Sequence, residues 1–250
     1  MTAPIRVTVW NEFWHENPVH WDYVRRAWMS HGYSQESAIE ETEGVRDIYP
    51  DGIHEAIAAP LREQGFSVQT ATLDEPEHGL GDAVLDETDV LIWWGHMVHD
   101  NVDDAVAERV YRRIVDEGMG FIALHWGAGS KVFQKLMGGR SCSLTPKVSG
   151  EAERLWVIEP AHPIAQGLET SFVVPQTEIY CEPFDIPAPD TVVFISSWPG
   201  GEVMRSGCCF QRGAGKVFFF RPGHESYPIY YQSEVQQVIA NAVSWAARST

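Results

Sequence analysis

Short apolar runs punctuate the first half of the chain, each separated from the next by room for at least one helix. Ile5-Arg6-Val7-Thr8-Val9-Trp10 is rich in β-branched residues and predicts a buried first strand. Phe66-Ser67-Val68-Gln69-Thr70 predicts a second. Asp89-Val90-Leu91-Ile92-Trp93-Trp94 and Phe121-Ile122-Ala123-Leu124 are almost wholly apolar, the pattern of strands covered on both faces. Between the first two runs lies a helical stripe of Ile53, Ala56, Ile57, Ala58 and Leu61, with Asp51 at its start and Gly65 at its stop. Asn101 is placed to cap a further helix. That helix carries Asp103 and Asp104 at its positive end, Arg112 and Arg113 near its negative end, and Gly118 beyond. A shorter helix is expected over Ser130 to Met137.

Alternation of strand and helix implies a parallel sheet with right-handed crossovers. The second half reads differently. Strands near residues 153–158, 171–174, 191–196, 207–211 and 215–220 follow one another without long helices between them, which predicts an antiparallel β extension. A last helix, Ser233 to Ala247, places Val235, Val238, Ile239, Ala242 and Trp245 on one face. Residues 14–49 are polar and aromatic and carry His15, His20 and His31; they read as an elaborated loop with one helix near Trp21 to Met29. With no repeat, low-complexity tract or linker, the expectation is one α/β domain over residues 1–250.

Composition narrows the classes. A chain of 250 residues buries enough surface to fold without a disulfide or a structural metal. A net charge of -17 repels phosphate backbones and excludes nucleic acid as a partner. Cys142, Cys181, Cys208 and Cys209 form no CxxC pair and read as reduced thiols. Met1-Thr2-Ala3-Pro4 lacks a basic n-region, and no segment approaches the roughly 18 to 20 apolar residues of a membrane span. A soluble, cytoplasmic protein with no membrane partner is expected, and a homo-oligomer by the commonness of symmetric dimers. No P-loop or GxGxxG occurs, which disfavours a nucleotide cofactor.

Ligands of open α/β sheets bind outside the carboxyl ends of the strands, so the residues that follow each strand carry the chemistry. Asn11 and Glu12 follow the first strand, Gly95-His96-Met97-Val98-His99 the third, and His125-Trp126-Gly127 the fourth. Arg221-Pro222-Gly223-His224-Glu225-Ser226-Tyr227 follows Phe218-Phe219-Phe220. Histidines at three strand ends converge if the sheet is parallel, and only one of His96 and His99 need face the crevice. Imidazole is both a metal ligand and the usual acid or base near neutral pH. His96, His125 and His224 with Glu178 as the carboxylate would suit a divalent transition metal, zinc first. Trp14, Trp94 and Trp126 lie beside these polar residues, and an aromatic face there suits the apolar face of a sugar ring. Gly127-Ala128-Gly129-Ser130 is not a GxSxG elbow, which leaves Ser130 with His224 a weak hydrolase motif.

With these residues in view, the chain resembles the ThuA-like, trehalose-utilisation family. The resemblance rests on Val9-Trp10-Asn11-Glu12, His15-Glu16, Ile48-Tyr49-Pro50-Asp51-Gly52-Ile53-His54, Trp93-Trp94-Gly95-His96, Leu124-His125 and Arg221-Pro222-Gly223-His224-Glu225-Ser226-Tyr227-Pro228. It covers nearly the whole chain. Residues 17–44 are longer than the family pattern and read as an insertion, either a lid or a subunit contact near Trp21 and Trp28. The resemblance implies a flavodoxin-like core related to class I glutamine amidotransferases. Those enzymes place a cysteine on the turn where His125 stands here, and a histidine and glutamate where His224 and Glu225 stand. Without the thiolate there is no thioester route, which argues against a glutaminase.

The family further implies disaccharide catabolism, alongside dehydrogenases that make 3-keto sugars. The leading expectation is therefore an enzyme that hydrolyses, eliminates or isomerises a disaccharide or its 3-keto derivative. His125, His224 and Glu225 are its expected catalytic residues. Asn11, Glu12, His54, Trp94, Trp126 and Tyr227 are expected around the sugar, and His96, His125, Glu178 and His224 around a metal. The alternative is a non-catalytic sugar-binding or regulatory protein on an amidotransferase-like scaffold.

Overall fold

The computed structural model describes residues 3–247; Met1 and Thr2, on which part of the N-terminal reading rests, lie outside them. In chain order the strands are β1 (Arg6–Asn11), β2 (Ser67–Thr72), β3 (Val90–Trp94), β4 (Gly120–Leu124), β5 (Thr145–Val157), β6 (Ser171–Cys181), β7 (Thr191–Ser197), β8 (Val203–Arg212) and β9 (Gly215–Phe220). The helices are α1 (Trp21–Ser30), α2 (Gln35–Ile48), α3 (Ile53–Glu63), α4 (Asp82–Asp86), α5 (Asp104–Val115), α6 (Lys131–Leu136) and α7 (Ser233–Ala246). All nine strands form one sheet in the order β2-β1-β3-β4-β9-β8-β7-β5-β6. β2, β1, β3, β4 and β9 are parallel. β8, β7, β5 and β6 extend the sheet in antiparallel fashion. The mixed architecture expected from the pattern is the one observed.

The apolar runs work by alternation. Val90, Ile92 and Trp94 of β3 and Ile122 and Leu124 of β4 face α3 and α7. Leu91 and Trp93, with Phe121 and Ala123, face α5 and α6. A strand between two helix layers has no solvent side, so neither set of positions can be polar. Trp245 is the exception on α7: it is only partly buried, with the Lys216 ammonium over its ring.

Several boundaries differ from the pattern. Residues 14–49 hold two helices, α1 and α2, and not a loop with one. α2 buries only Ala38, Thr42 and Val45, so its stripe is too narrow and polar to stand out; Ser34 caps it by accepting from the Ser37 N–H. Trp28 faces inward against Tyr33 and Met97 at 8% exposure. α3 begins at Ile53, not Asp51, because Gly52 takes φ of 88° before it and the buried Glu16 carboxylate accepts the Ile53 N–H. Asn101 closes a short 3-10 turn, and Asp103 precedes α5. Ser130 is the N-cap of α6, its buried hydroxyl accepting from Phe133 N–H, which gives it a structural task in place of a nucleophilic one. β5 and β6 run far longer than expected, through Gly150 and Pro175.

Where β9 leaves the sheet, Arg221 is fully buried. Its guanidinium pairs with the equally buried Glu153 of β5 and donates to the Thr177 hydroxyl and the Glu178 carbonyl of β6. Glu153 also accepts from Ser196 of β7. Arg221→Met should lower unfolding free energy in urea by about 3–5 kcal/mol, because it strands a buried carboxylate. Adding Glu153→Leu should recover most of that loss. Equal destabilisation in the single and double variants would show that the ion pair is not the brace.

Candidate functional site

The carboxyl ends of β1, β3, β4 and β9 open on one side of the sheet, and the upper part of β6 meets them there. β3 ends in Trp94-Gly95-His96 and β4 in His125; β9 leads through Arg221 to His224 and Glu225. His125 has φ of 53°, a left-handed value rare outside glycine, so β4 ends in a sharp turn that lifts the imidazole above the sheet. The β9 loop can come this close only because residue 223 is glycine. A Cβ there would lie 2.6 Å from the His125 Cβ and 2.4 Å from the Tyr230 hydroxyl.

Side chains from four separate strands or strand ends meet at one oxygen. Glu178 Oε2 lies 3.7 Å from His96 Nε2, and 3.6 Å from both His125 Nε2 and His224 Nε2. The donor atoms of His96, His125 and Glu178 all fall within 4.8 Å of one another. Both His125 ring nitrogens, His224 Nε2 and Glu178 Oε2 are buried with no hydrogen-bond partner, which is costly unless something else fills the gap between them. Behind this group, Glu225 is fully buried with its oxygens 3.1 Å from His96 Nδ1 and 3.3 Å from His15 Nδ1, but 3.8 Å from His224 Nδ1. Glu225 thus orients His96 and His15 from the rear.

The electrostatics follow from burial against charge. Burial pushes His96 down, but the Glu225 and Glu178 carboxylates outweigh it and hold the imidazole well above its ordinary value. His125 sits well below, driven by burial and then by the neighbouring His96 and His224. Burial would raise Glu225, yet His15, His224 and His96 bring it well below the ordinary carboxylate range. Two ionised carboxylates inside the protein give the site a preference for positive charge.

A cavity of about 440 Å³ lies over these groups, with His15, His96, Glu178 and Tyr180 at its floor, Trp126 and Met97 in its wall, and Tyr23, Trp28 and His31 of the α1 region above. The inserted hairpin therefore roofs the site. His96 faces this cavity. His99 is tucked against Gly95 and Gly129, and burial pushes it down to about 3. Of the residues expected around a sugar, Trp126 lines the cavity, and the Tyr227 ring flanks His224 at 5.1 Å. The others lie behind the floor. Trp94 is wholly buried, its ring 6.2 Å from that of His125 and nearly parallel to it, with no face left for a ligand. Glu12 accepts the Met97 and Val98 N–H groups, so its charge holds the loop after β3. Asn11 donates to Glu16, accepts from Phe13 N–H and meets His54 Nδ1 at 3.1 Å.

Sequence reasoning did not single out His15, Tyr180 or Trp28 as site residues. His15 was visible as a histidine shortly after β1, but Tyr180 and Trp28 reach the cavity only through the long β6 and the folded hairpin. Cys142 is no stand-in nucleophile: burial pushes its thiol up to about 12.

The site sits at the strand ends of a mixed α/β sheet, with His125 on a left-handed turn directly after β4. The chain belongs to the ThuA family, described as trehalose utilisation, whose sequence profile matches residues 6–246. No curated protein matches the chain in sequence. Among solved structures, a protein described as ThuA-like from Bacteroides uniformis superposes with a TM-score of 0.59 at 16% identity, covering 98% of this chain and 92% of that one. A second protein so described, from Parabacteroides merdae, gives 0.59 at 12% identity, covering 97% and 90%. A GMP synthase-type protein from Thermoplasma acidophilum gives 0.56 at 13% identity, covering 98% and 94%. At these identities the likeness is one of fold. Membership of the family assigns the chain a carbohydrate role of the trehalose-utilisation type. No described helix is long and apolar enough to cross a membrane.

Glu16 offers a test of the loop that carries His15. Burial pushes its carboxyl up to about 7 from 4.5, against hydrogen bonds from Ile53 N–H and Asn11. A raised folded value means that the stabilisation is complete below the unfolded value and is lost as pH rises through the folded one. Glu16→Gln keeps an acceptor oxygen and carries no charge. Its melting temperature should therefore gain on wild type by about 5 °C between about pH 5 and pH 8, from roughly 2–3 kcal/mol. An unchanged gap at the two pH values would contradict the burial argument.

Proposed function

We propose that this protein is an enzyme of carbohydrate catabolism that acts on a disaccharide or its 3-keto derivative, with a divalent transition metal, zinc first, held by His96, His125 and Glu178. The observation that carries the reading is the convergence of imidazole Nε2 atoms on the buried, unpartnered Glu178 Oε2 beneath an aromatic cavity. Tetrahedral zinc with bonds of about 2.0–2.1 Å separates its donors by roughly 3.4 Å, close to the spacing present. Two histidines, one carboxylate and an open position form a hydrolytic or lyase-type donor set, not a closed structural one. Such an ion supplies Lewis-acid polarisation of a substrate carbonyl. The protein's part is binding and orientation. The volume suits a sugar-sized ligand, and Trp126 and Trp28 offer aromatic faces to a pyranose ring. Glu225 stands behind His96 with its Oε2 3.1 Å from Nδ1, and His96 Nε2 meets the Tyr180 hydroxyl at 3.1 Å on the cavity side.

A second reading is favoured by one feature, the missing thiol after β4: a sugar-binding or regulatory protein that turns nothing over.

Protein purified without chelator should contain about one transition-metal ion per chain by elemental analysis, lost in His125→Ala and in Glu178→Gln. It should convert a 3-keto-disaccharide, and chelation should cut that rate at least about 100-fold. Metal-free protein with full turnover would remove the ligand role. Saturable sugar binding with no product in metal-loaded protein would establish the second reading.

A further inference from the structure

His224 differs from the other imidazoles at this site in what its rear nitrogen does. Its Nδ1 accepts a hydrogen bond from the backbone N–H of Ser226 at 3.0 Å. A backbone amide only donates, so Nδ1 carries a lone pair and the ring's hydrogen sits on Nε2. His96 has the opposite setting, with a carboxylate behind Nδ1 at 3.1 Å. A carboxylate accepts, so His96 keeps a hydrogen on Nδ1, while its Nε2 meets the Tyr180 hydroxyl at 3.1 Å beside Glu178. Metals take histidine as neutral imidazole through a free lone pair, the other nitrogen donating to a partner. His96 meets that requirement once an ion takes the place of the Nε2 proton that the two carboxylates favour in its absence. His224 does not, because ligation through Nε2 would need an imidazolate whose Nδ1 already accepts a backbone N–H.

The same geometry suits His224 to another task. Its Nε2 is buried, has no hydrogen-bond partner, and points at Glu178 Oε2 from 3.6 Å, the oxygen that His96 and His125 also face. The ring is held on both sides, by Tyr227 at 5.1 Å and by Trp28 of the roof at 6.4 Å between centroids. Gly223 sets its backbone against His125. A hydrogen-bond donor fixed in advance stabilises charge that develops on a substrate oxygen without reorganising.

We infer that His224 is not a metal ligand but a fixed Nε2–H donor to the oxygen of a neutral keto-sugar that enters beside His96, His125 and Glu178. This rests on the function proposed above. It splits the strand-end histidines into two that hold an ion and one that holds the substrate's carbonyl oxygen.

The experiment is ¹⁵N NMR of the side-chain imidazoles in the full chain, metal-free and after addition of zinc alone, with the His224 signal identified by its loss in His224→Gln. The expected result is protonated Nε2 and unprotonated Nδ1 in both states. In parallel, His224→Gln should change the zinc Kd less than about tenfold, while His125→Ala raises it more than about 100-fold. Loss of the Nε2 proton on adding zinc, or a zinc affinity that falls as far in His224→Gln as in His125→Ala, would overturn the assignment. So would an Nδ1–H tautomer in the metal-free protein. If zinc does not bind and the Nε2–H tautomer is present, the metal reading fails and the donor assignment of His224 stands by itself.

Discussion

The site depends on one buried ion pair. Arg221 and Glu153 have no exposure, and between them they tie β9, the last parallel strand, to β5 and β6 of the antiparallel extension. The Arg221 guanidinium also takes the Glu178 carbonyl and the Thr177 hydroxyl. A buried pair of this kind seldom adds net stability, since desolvation offsets most of the attraction. What it supplies is position. Glu178 belongs to a strand at the far edge of the sheet, yet its carboxylate must stand among histidines from the centre, and Arg221 is the group that spans the two.

A second tier of buried charge works through the first. Glu225 meets no arginine or lysine among the described residues; its charge is set against His15, His96 and His224. Glu12 is neutralised by backbone N–H groups of the loop that carries His96. These carboxylates therefore do the orienting, and only Glu178 turns its oxygen to the cavity. Sequence position suggested four acidic or amide groups around a ligand, whereas the structure sorts them by which way each strand end turns. The same sorting removes Trp94, which a strand buried on both faces has to keep in the core.

Much of the framework was legible. β3 and β4 are apolar at successive positions because helices cover both of their faces, and β1 and β9 carry shorter runs of the same kind. The residues after them were then marked as candidates by topology. α2 was not legible, since a roofing helix packs through so few buried side chains that its periodicity is faint. β5 and β6 escaped at their ends, where Gly150 and Pro175 read as breaks but the strands continue through register shifts.

The sequence by itself determined the sheet, its two helix layers, the family and the set of histidines at strand ends, because each follows from local pattern or local order. Only the tertiary structure decided which nitrogen of each histidine is free. That depends on what stands behind the ring: the Glu225 carboxylate behind His96, and the Ser226 amide behind His224. A carboxylate accepts a hydrogen bond and an amide donates one, so two identical residues at strand ends carry their ring hydrogens differently beside the same Glu178 oxygen.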